Sequence, residues 1–318
     1  MQPRLKVIGV GGAGGNAVAA LARKQPLAVD LWAANTDAQA LAALSGLHTL
    51  PLGPRKTGGL GAGGRPAVGE AAAIESGPAL METLRDTDLV FITAGMGGGT
   101  GTGAAAVVAA AAREVGALTV GVFSRPFAFE GRRRARAADE GLERAEHFVD
   151  CCVVIENQRL LGDDLSMQEA FARADEVLAA GVRGISELLV GRGMINLDLA
   201  DLRVCLEVGG RAVLGLGEGD GALEAAQRAV SSELIADTDL RGAGGLLISF
   251  RGPRTLGLHA IDAAAHWLGD QVDPEAEVLF GLVPDDSMQG VEATVIAAGV
   301  GRMVAAETRA PRNALVML

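Results

Sequence analysis

The sequence has few cysteines, few histidines and no long apolar run. Its three cysteines, Cys151, Cys152 and Cys205, form neither a disulfide framework nor a CxxC metal motif. Its four histidines are scattered without ligand spacing, which argues against a structural zinc site. No stretch reaches the roughly 18 consecutive apolar residues of a membrane span. Because the first predicted strand begins at Leu5, no signal peptide is expected, and we expect a cytoplasmic protein without membrane insertion.

Positive charge is also scarce. The 318 residues include 28 Lys and Arg against 39 Asp and Glu, which gives a formal net charge of −11. Proteins that bind nucleic-acid backbones concentrate basic residues on one face, so this composition argues against a nucleic-acid partner. The one basic run, Arg132–Arg134, is by itself typical of a solvated helix face.

The chain up to about Glu156 alternates short β-rich runs with helical segments, which predicts an α/β fold with βαβ units and a parallel sheet. Ligands of such sheets bind at the carboxyl ends of the strands, where the glycine-rich segments of this chain fall. The predicted strands are Leu5–Val10, Leu31–Ala34, Leu89–Ala94, Leu118–Phe123 and Cys151–Ile155.

A long amphipathic segment, 166–190, predicts a helix that joins two halves of the protein. The region after it predicts a smaller mixed α/β domain, with glycine clusters at Gly215–Gly221 and 241–245 read as turns. Its predicted elements are strands Leu246–Phe250, Val278–Val283 and Thr294–Ala298 and a helix at Ile261–Leu268.

A glycine-rich loop, Gly95–Gly103, separates a buried strand from an alanine-rich helical segment. Glycines allow successive backbone N–H groups to face one concavity, and the helix adds its positive N-terminal end, so the loop suits a phosphate chain. Thr100 and Thr102 add hydroxyl donors. The loop is not a Walker A element, because Ala104 stands where that motif requires Lys.

A second glycine segment, Gly9–Gly14, fits GxGxxG between a strand and a helix, with Asp30 and Asp37 near the place of a ribose-binding acid. Alone it would indicate an NAD-dependent oxidoreductase. That interpretation does not explain the richer loop at Gly97–Gly103, and no catalytic His or Lys accompanies a substrate site.

The sequence GGGTGTG at Gly97–Gly103 resembles the signature of the tubulin/FtsZ family of GTPases, nearest to its bacterial cell-division branch. Further motifs follow in the family's order from Leu5 to about Val300. They are 6–18 (KVIGVGGAGGNAV), 35–41 (NTDAQAL), 59–63 (GLGAG), 125–131 (RPFAFEG), 196–201 (NLDLAD) and 291–299 (VEATVIAAG).

The resemblance implies a Rossmann-type parallel-sheet GTPase domain over 1–165, a central core helix over 166–190 and a smaller mixed α/β C-terminal GTPase-activating domain over 191–318. It also implies that both glycine loops enclose one GTP or GDP. The nucleotide residues implied are Gly11, Gly12, Ala13, Gly14, Asn16, Asn35, Asp37, Gly61, Ala62, Gly63, Gly95, Met96, Gly97, Gly98, Gly99, Thr100, Gly101, Thr102, Gly103, Glu130, Arg134, Asn157, Phe171 and Asp175.

Several of these residues have a second interpretation. Glu130 and Arg134 match positions near the ribose and phosphates, but they are also spaced for an i, i+4 helix ion pair. Asp175 can accept both N1–H and the exocyclic amine of guanine. Phe171 can stack on the base, although a lone Phe on an apolar helix face is more often core.

The motif of Asn196, Asp198 and Asp201 carries the catalytic expectation. Asp at a helix beginning is commonly an N-cap, which sequence alone favours. The resemblance implies instead that this loop enters the nucleotide site of a neighbouring subunit and activates the attacking water, with Mg²⁺ at the phosphates and a monovalent cation as an option near the shared site. Donor loop and acceptor pocket differ, so the contact would build an open head-to-tail homopolymer.

This sequence differs from the family pattern at several positions. Glu156 and Ala106 replace prolines common in the family, and Gly58 replaces a frequent Lys. Membrane adaptors are expected as partners only if a C-terminal tail exists beyond residue 318, and the protein is expected at the division site. A non-catalytic nucleotide-binding scaffold is the alternative function.

Overall fold

A computed structural model describes residues 3–24, 29–162, 165–190, 197–208, 211–235 and 238–300. These residues divide between two compact units, with the boundary between Val182 and Arg183. None of the described helices is long and apolar enough to cross a membrane.

The first unit contains a sheet of parallel strands in the order β3-β2-β1-β4-β5-β6. The five predicted strands are confirmed to within two residues at each end. The sequence does not predict β3, because this segment is short and mostly exposed and so lacks an apolar run. The strands are β1 (Leu5–Val10), β2 (Asp30–Asn35), β3 (His48–Pro51), β4 (Leu89–Gly95), β5 (Leu118–Arg125) and β6 (Cys151–Glu156).

Helices connect these strands, and the most deeply buried is α6 (Thr100–Glu114). Every residue from Gly101 to Ala112 is buried, because small side chains allow α6 to pack closely against β4 and against the neighbouring helices, chiefly α4 (Pro66–Glu75) and α7 (Arg132–Glu146). This packing fixes the N-terminal end of α6. The helices of this unit are α1 (Gly11–Lys24), α2 (Ala38–Ala42), α3 (Pro54–Thr57), α4 (Pro66–Glu75), α5 (Gly77–Leu84), α6 (Thr100–Glu114), α7 (Arg132–Glu146) and the first part of α8 (Met167–Val190).

The strand order reverses between β1 and β4. From β1 the chain builds β2 and β3 on one side, and it then returns to add β4, β5 and β6 on the other. Because the strands are parallel, their carboxyl ends share one edge. In open α/β sheets such a switch point is where ligands bind.

The described part of the second unit contains four strands in the order β7-β10-β8-β9. Strand β10 is antiparallel to β7 and β8, and β8 is parallel to β9. The predicted mixed α/β character is confirmed. The elements are α9 (Leu199–Leu206), β7 (Arg211–Gly219), α10 (Ala222–Val230), β8 (Gly245–Gly252), α11 (Leu258–Gly269), β9 (Glu277–Pro284) and β10 (Val291–Val300).

The turn predicted at Gly215–Gly221 is wrong for most of its length, because Gly215–Gly219 ends strand β7. Its alternate glycines face α10. A Cβ at Gly217 would stand 2.2 Å from the carbonyl oxygen of Ala225, so only glycine lets the helix backbone approach the strand this closely. The second glycine cluster does contain a turn, a short 3₁₀ helix at Leu240–Gly242.

Candidate functional site

Two glycine-rich segments meet at the switch point of the first unit. Val10 and Ala94 are register partners in β1 and β4, and each strand leads into a glycine segment. Gly11 has φ +75°, and a Cβ on it would stand 2.8 Å from the backbone nitrogen of Gly101. Gly11–Gly14 form the first turn of α1, and Gly101 lies in the first turn of α6. Two helix N-termini therefore come together, where unpaired N–H groups and the helix dipoles attract an anion.

The loop between β4 and α6 is held in shape by its own hydrogen bonds. The N–H of Gly97 donates to the hydroxyl of Thr102 at 2.8 Å, and the N–H of Met96 donates to the carbonyl of Ser124 at 2.8 Å. Thr102 is buried, so its hydroxyl shapes the loop. The Thr100 hydroxyl instead lies 2.6 Å from that of Thr36. Thr36 belongs to the NTDAQAL motif at 35–41, but no role for it was predicted from the sequence.

The packing of the protein itself requires glycine at some positions of these glycine segments but not at others. A Cβ at Gly101 would stand 2.5 Å from the carbonyl oxygen of Gly95, so the protein itself requires glycine there. A Cβ at Gly98 or Gly12 would meet no atom within 4 Å. These two glycines border open space, which fits a cradle that a ligand fills.

A second loop, Gly59–Gly63, packs against the glycine loop. A Cβ at Gly99 would stand 2.8 Å from the Cβ of Ala62, and the N–H of Gly61 donates to the carbonyl of Thr36 at 3.0 Å. The predicted residues Gly61, Ala62 and Gly63 therefore lie beside the predicted phosphate loop.

Asp37 has a local structural role at this edge. Its carboxylate accepts the N–H groups of Gln39 at 2.9 Å and Ala40 at 3.1 Å, which caps α2. Asn35 is buried, and its side-chain oxygen accepts the N–H of Asp37 at 3.3 Å. Both predicted nucleotide residues thus shape the end of β2.

Asp175 of α8 is linked to the first turns of α1. Its side chain forms a hydrogen bond with Asn16, and burial raises its pKa to about 6, although that hydrogen bond and the charge of Arg23 act to lower the pKa. A carboxylate that is costly to ionise is well suited to a ligand with N–H donors, because such donors stabilise its charged form.

Asn157 and Phe171 complete the side of the site predicted for the base. Asn157 is buried, and its side-chain oxygen has no hydrogen-bond partner within the described structure. The ring of Phe171 contacts Phe127 edge-on, with centroids 5.3 Å apart, and Phe129 at 6.1 Å. The exposed fraction of Phe171 is 38%, so part of the side chain remains open to a ligand.

Glu130 and Arg134 form the ion pair that their spacing allows. One carboxylate oxygen of Glu130 accepts from Arg134, and the other accepts the N–H of Phe127 at 2.9 Å. The side chain of Arg134 is 55% exposed. Its guanidinium is therefore accessible to a phosphate or ribose at the start of α7.

The predicted catalytic residues belong to the second unit as far as they are described. Asp198 is the N-cap of α9, and its carboxylate accepts the N–H of Asp201 at 2.8 Å. Asp198 and Asp201 are both exposed. The third predicted residue, Asn196, lies outside the described residues. Within the described ranges, no cluster of three or more His, Cys, Asp and Glu side chains could hold a metal ion.

Two family models match this chain. The GTPase domain of the tubulin/FtsZ family matches residues 4–163, and the C-terminal domain of the FtsZ family matches residues 210–301. The cell division protein FtsZ of Bartonella bacilliformis is 47% identical over 310 residues, which are 95% of this chain and 52% of that protein. The chain therefore spans about half the length of this relative.

Solved structures agree with these matches. An empty FtsZ dimer of M. jannaschii superposes with a TM-score of 0.90 at 39% identity and covers 95% of this chain and 89% of that one. A GTPγS-bound protofilament of CetZ2 from Haloferax volcanii superposes with a TM-score of 0.81 at 25% identity, covering 99% of this chain and 98% of that one.

Proposed function

The chain belongs to the tubulin/FtsZ family, and from that premise we propose that it binds and hydrolyses GTP and polymerises head to tail for bacterial cell division. The observation that carries the proposal is the contact between the two glycine segments. Two helix N-termini meet at a switch point, and the Cβ positions of Gly12 and Gly98 face open space. This arrangement suits the phosphate chain of a nucleotide.

Guanine specificity rests on the group around Asp175. An ionised Asp175 can accept two hydrogen bonds from guanine, at N1–H and at the exocyclic amine, whereas adenine has no N1–H. The unpartnered oxygen of Asn157 and the partly exposed ring of Phe171 add polar and apolar contacts. Glu130 and Arg134 supply a carboxylate for ribose hydroxyls and a cation for phosphate.

Hydrolysis needs a group that orients water against the terminal phosphate. Water adds to the γ-phosphorus while the bond from that phosphorus to the bridging oxygen breaks, which releases GDP and phosphate. Asp198 and Asp201, with Asn196, are the residues that we assign to this step, acting on the nucleotide of a neighbouring copy. Asp201 is exposed, and its carboxylate can accept a hydrogen bond from the attacking water.

A metal ion at this site would be bound mainly by the nucleotide and less by the protein. The hydroxyls of Thr36 and Thr100 are two oxygen donors at this edge of the sheet, and Mg²⁺ would be held chiefly by phosphate oxygens, where it would neutralise developing charge. A monovalent cation near the shared site belongs to the same proposal.

The proposed partner is another copy of the chain. The matching FtsZ dimer and CetZ2 protofilament support self-association, and a heterologous contact of this kind builds a filament. We expect the protein at the division site in the cytoplasm. Membrane adaptors would bind only through a C-terminal tail beyond residue 318.

Titration of the purified chain with GTP, GDP, ATP and NADH tests the binding part of this proposal. We expect GTP and GDP to bind and NADH not to bind, with ATP much weaker than GTP. Tight NADH binding without GTP binding would instead favour the oxidoreductase interpretation of Gly9–Gly14.

The scaffold alternative is distinguished by turnover. Because Asp198 caps α9, a purely structural role for that side chain is a specific competing explanation. GTP binding without phosphate release at any protein concentration would favour the scaffold.

A further inference from the structure

Arg65 lies at the junction between the Gly59–Gly63 loop and α4, directly beside the glycine loop. A Cβ at Gly99 would stand 2.9 Å from the backbone nitrogen of Arg65. That nitrogen donates to the carbonyl of Ala62 at 3.1 Å, and the carbonyl of Arg65 accepts the N–H of Val68 at 3.0 Å. The backbone of Arg65 is therefore fixed where α4 begins, in contact with the loop proposed to hold phosphates.

No described residue is an ionic partner of the Arg65 side chain. It is exposed, and among the described residues its guanidinium makes no hydrogen bond or ion pair. The two carboxylates of α4 are already engaged, Glu70 with Arg144 at 2.7 Å and Glu75 with the N–H groups of Arg55 and Lys56 at 3.0 Å. The guanidinium is thus free to bind an anionic ligand.

The strand order indicates which part of a nucleotide would lie near Arg65. Glu130 and Asn157 follow β5 and β6 on one side of the switch point, and Phe171 of α8 packs against two phenylalanines that follow β5. Arg65 follows β3, on the other side. A nucleotide with its base at Asp175 and its phosphates over Gly97–Thr100 therefore directs its terminal phosphate toward Arg65.

From this placement we propose that Arg65 binds the γ-phosphate of GTP and so makes the site prefer GTP to GDP. The inference rests on the proposed function, because it requires a nucleotide in the site. Arginine presents paired N–H donors that match two phosphate oxygens, and GTP offers an additional phosphate group that GDP lacks. The contact adds an attraction for GTP that is absent for GDP.

The test compares GTPγS and GDP affinities of the nucleotide-free protein at a dilution where it is monomeric. We expect Arg65→Ala to weaken GTPγS binding about tenfold or more, the range for a hydrogen bond to a charged group, and GDP binding by less than about threefold. Arg65→Lys should be intermediate, since it keeps the charge but loses the paired donors. Arg85→Ala, which removes an exposed arginine at the end of α5, is the matched control and should change neither affinity.

Two outcomes would overturn the inference. Equal loss of GTPγS and GDP affinity would mean that Arg65 acts on the inner phosphates or on folding, and unchanged affinity for both would mean that it does not contact nucleotide. If the unaltered protein binds neither nucleotide, the proposed function fails first. A far-ultraviolet circular dichroism spectrum identical to that of the parent confirms that a variant is folded.

Discussion

Replacement of Asp175 by Asn should strengthen the nucleotide-free fold and weaken GTP binding. Burial raises the pKa of this carboxyl group from 3.8 to about 6. At about 1.4 kcal/mol per unit, the ionised form costs up to about 3 kcal/mol. Because the side chain is only half-buried, solvent screening reduces this figure, and we expect Asp175→Asn to raise the free energy of unfolding by about 1–2 kcal/mol at pH 8.

The pH dependence of this gain has a definite sign. A raised pKa means that the folded state retains its proton at a pH where the unfolded state has lost it, so the parent becomes relatively more stable as pH falls from above 6 toward 4. The advantage of Asp175→Asn should therefore shrink by about 1 kcal/mol between pH 8 and pH 5. Other titrating groups are common to both proteins and cancel in the difference.

The effect on ligand binding should be opposite. An amide offers one acceptor oxygen, and its NH₂ group opposes the N–H donors of guanine. We expect a loss of about 1.5–3 kcal/mol in GTP affinity, the range for hydrogen bonds to a charged group.

Urea unfolding of nucleotide-free protein at pH 8 and pH 5, together with GTP titration, measures both effects. Glu176→Gln removes the same charge from the neighbouring, exposed position and should change neither quantity. An Asp175→Asn protein that binds GTP normally and is no more stable than the parent would refute the assignment of Asp175 to the base.

Three further predictions follow from the same geometry. Gly98→Val should abolish GTP binding yet leave the melting temperature of nucleotide-free protein nearly unchanged, because its Cβ faces open space. The control is Gly257→Val, whose Cβ also faces open space but lies in the second unit. Normal GTP binding by Gly98→Val would contradict a phosphate site at this loop. GTP affinity should fall about tenfold per pH unit below pH 6, because binding requires ionised Asp175; an affinity that is flat from pH 7 to pH 5 would exclude that requirement. Asp201→Asn should retain GTP binding and lose most phosphate release, because the amide keeps the shape without the charge; normal turnover would leave this residue a structural role in α9.

Most of the first unit could be predicted from the sequence, because each buried parallel strand is a continuous apolar run that ends at a glycine or polar segment. Strand β3 could not be predicted in this way, because His48–Pro51 is short and mostly exposed. The end of β7 could not be predicted for another reason. Gly215, Gly217 and Gly219 are typical of a turn in the sequence, and their presence in a strand is explained by the close approach of α10.

The candidate site was less fully predictable than the fold. A run of glycines indicates a backbone cradle, but sequence does not tell Gly101, which the protein's own packing requires, from Gly98, which borders open space. The hydroxyl pairing of Thr36 with Thr100 joins residues 64 positions apart, so no local pattern reveals it. The proposed role of Arg65 could not be predicted from the sequence, because a single exposed arginine forms no motif and the proposal depends on the strand order around it.

A site shared between copies is tested most directly by the rate of phosphate release per molecule, measured with saturating GTP and Mg²⁺ over a wide range of protein concentration. If the carboxylates of one copy complete the nucleotide site of the next, active sites exist only in assemblies, and the rate per molecule should rise from near zero to a plateau as filaments form. Filament formation, followed by light scattering in the same samples, should rise over the same range. A rate per molecule that is constant across dilution would contradict a site shared between copies.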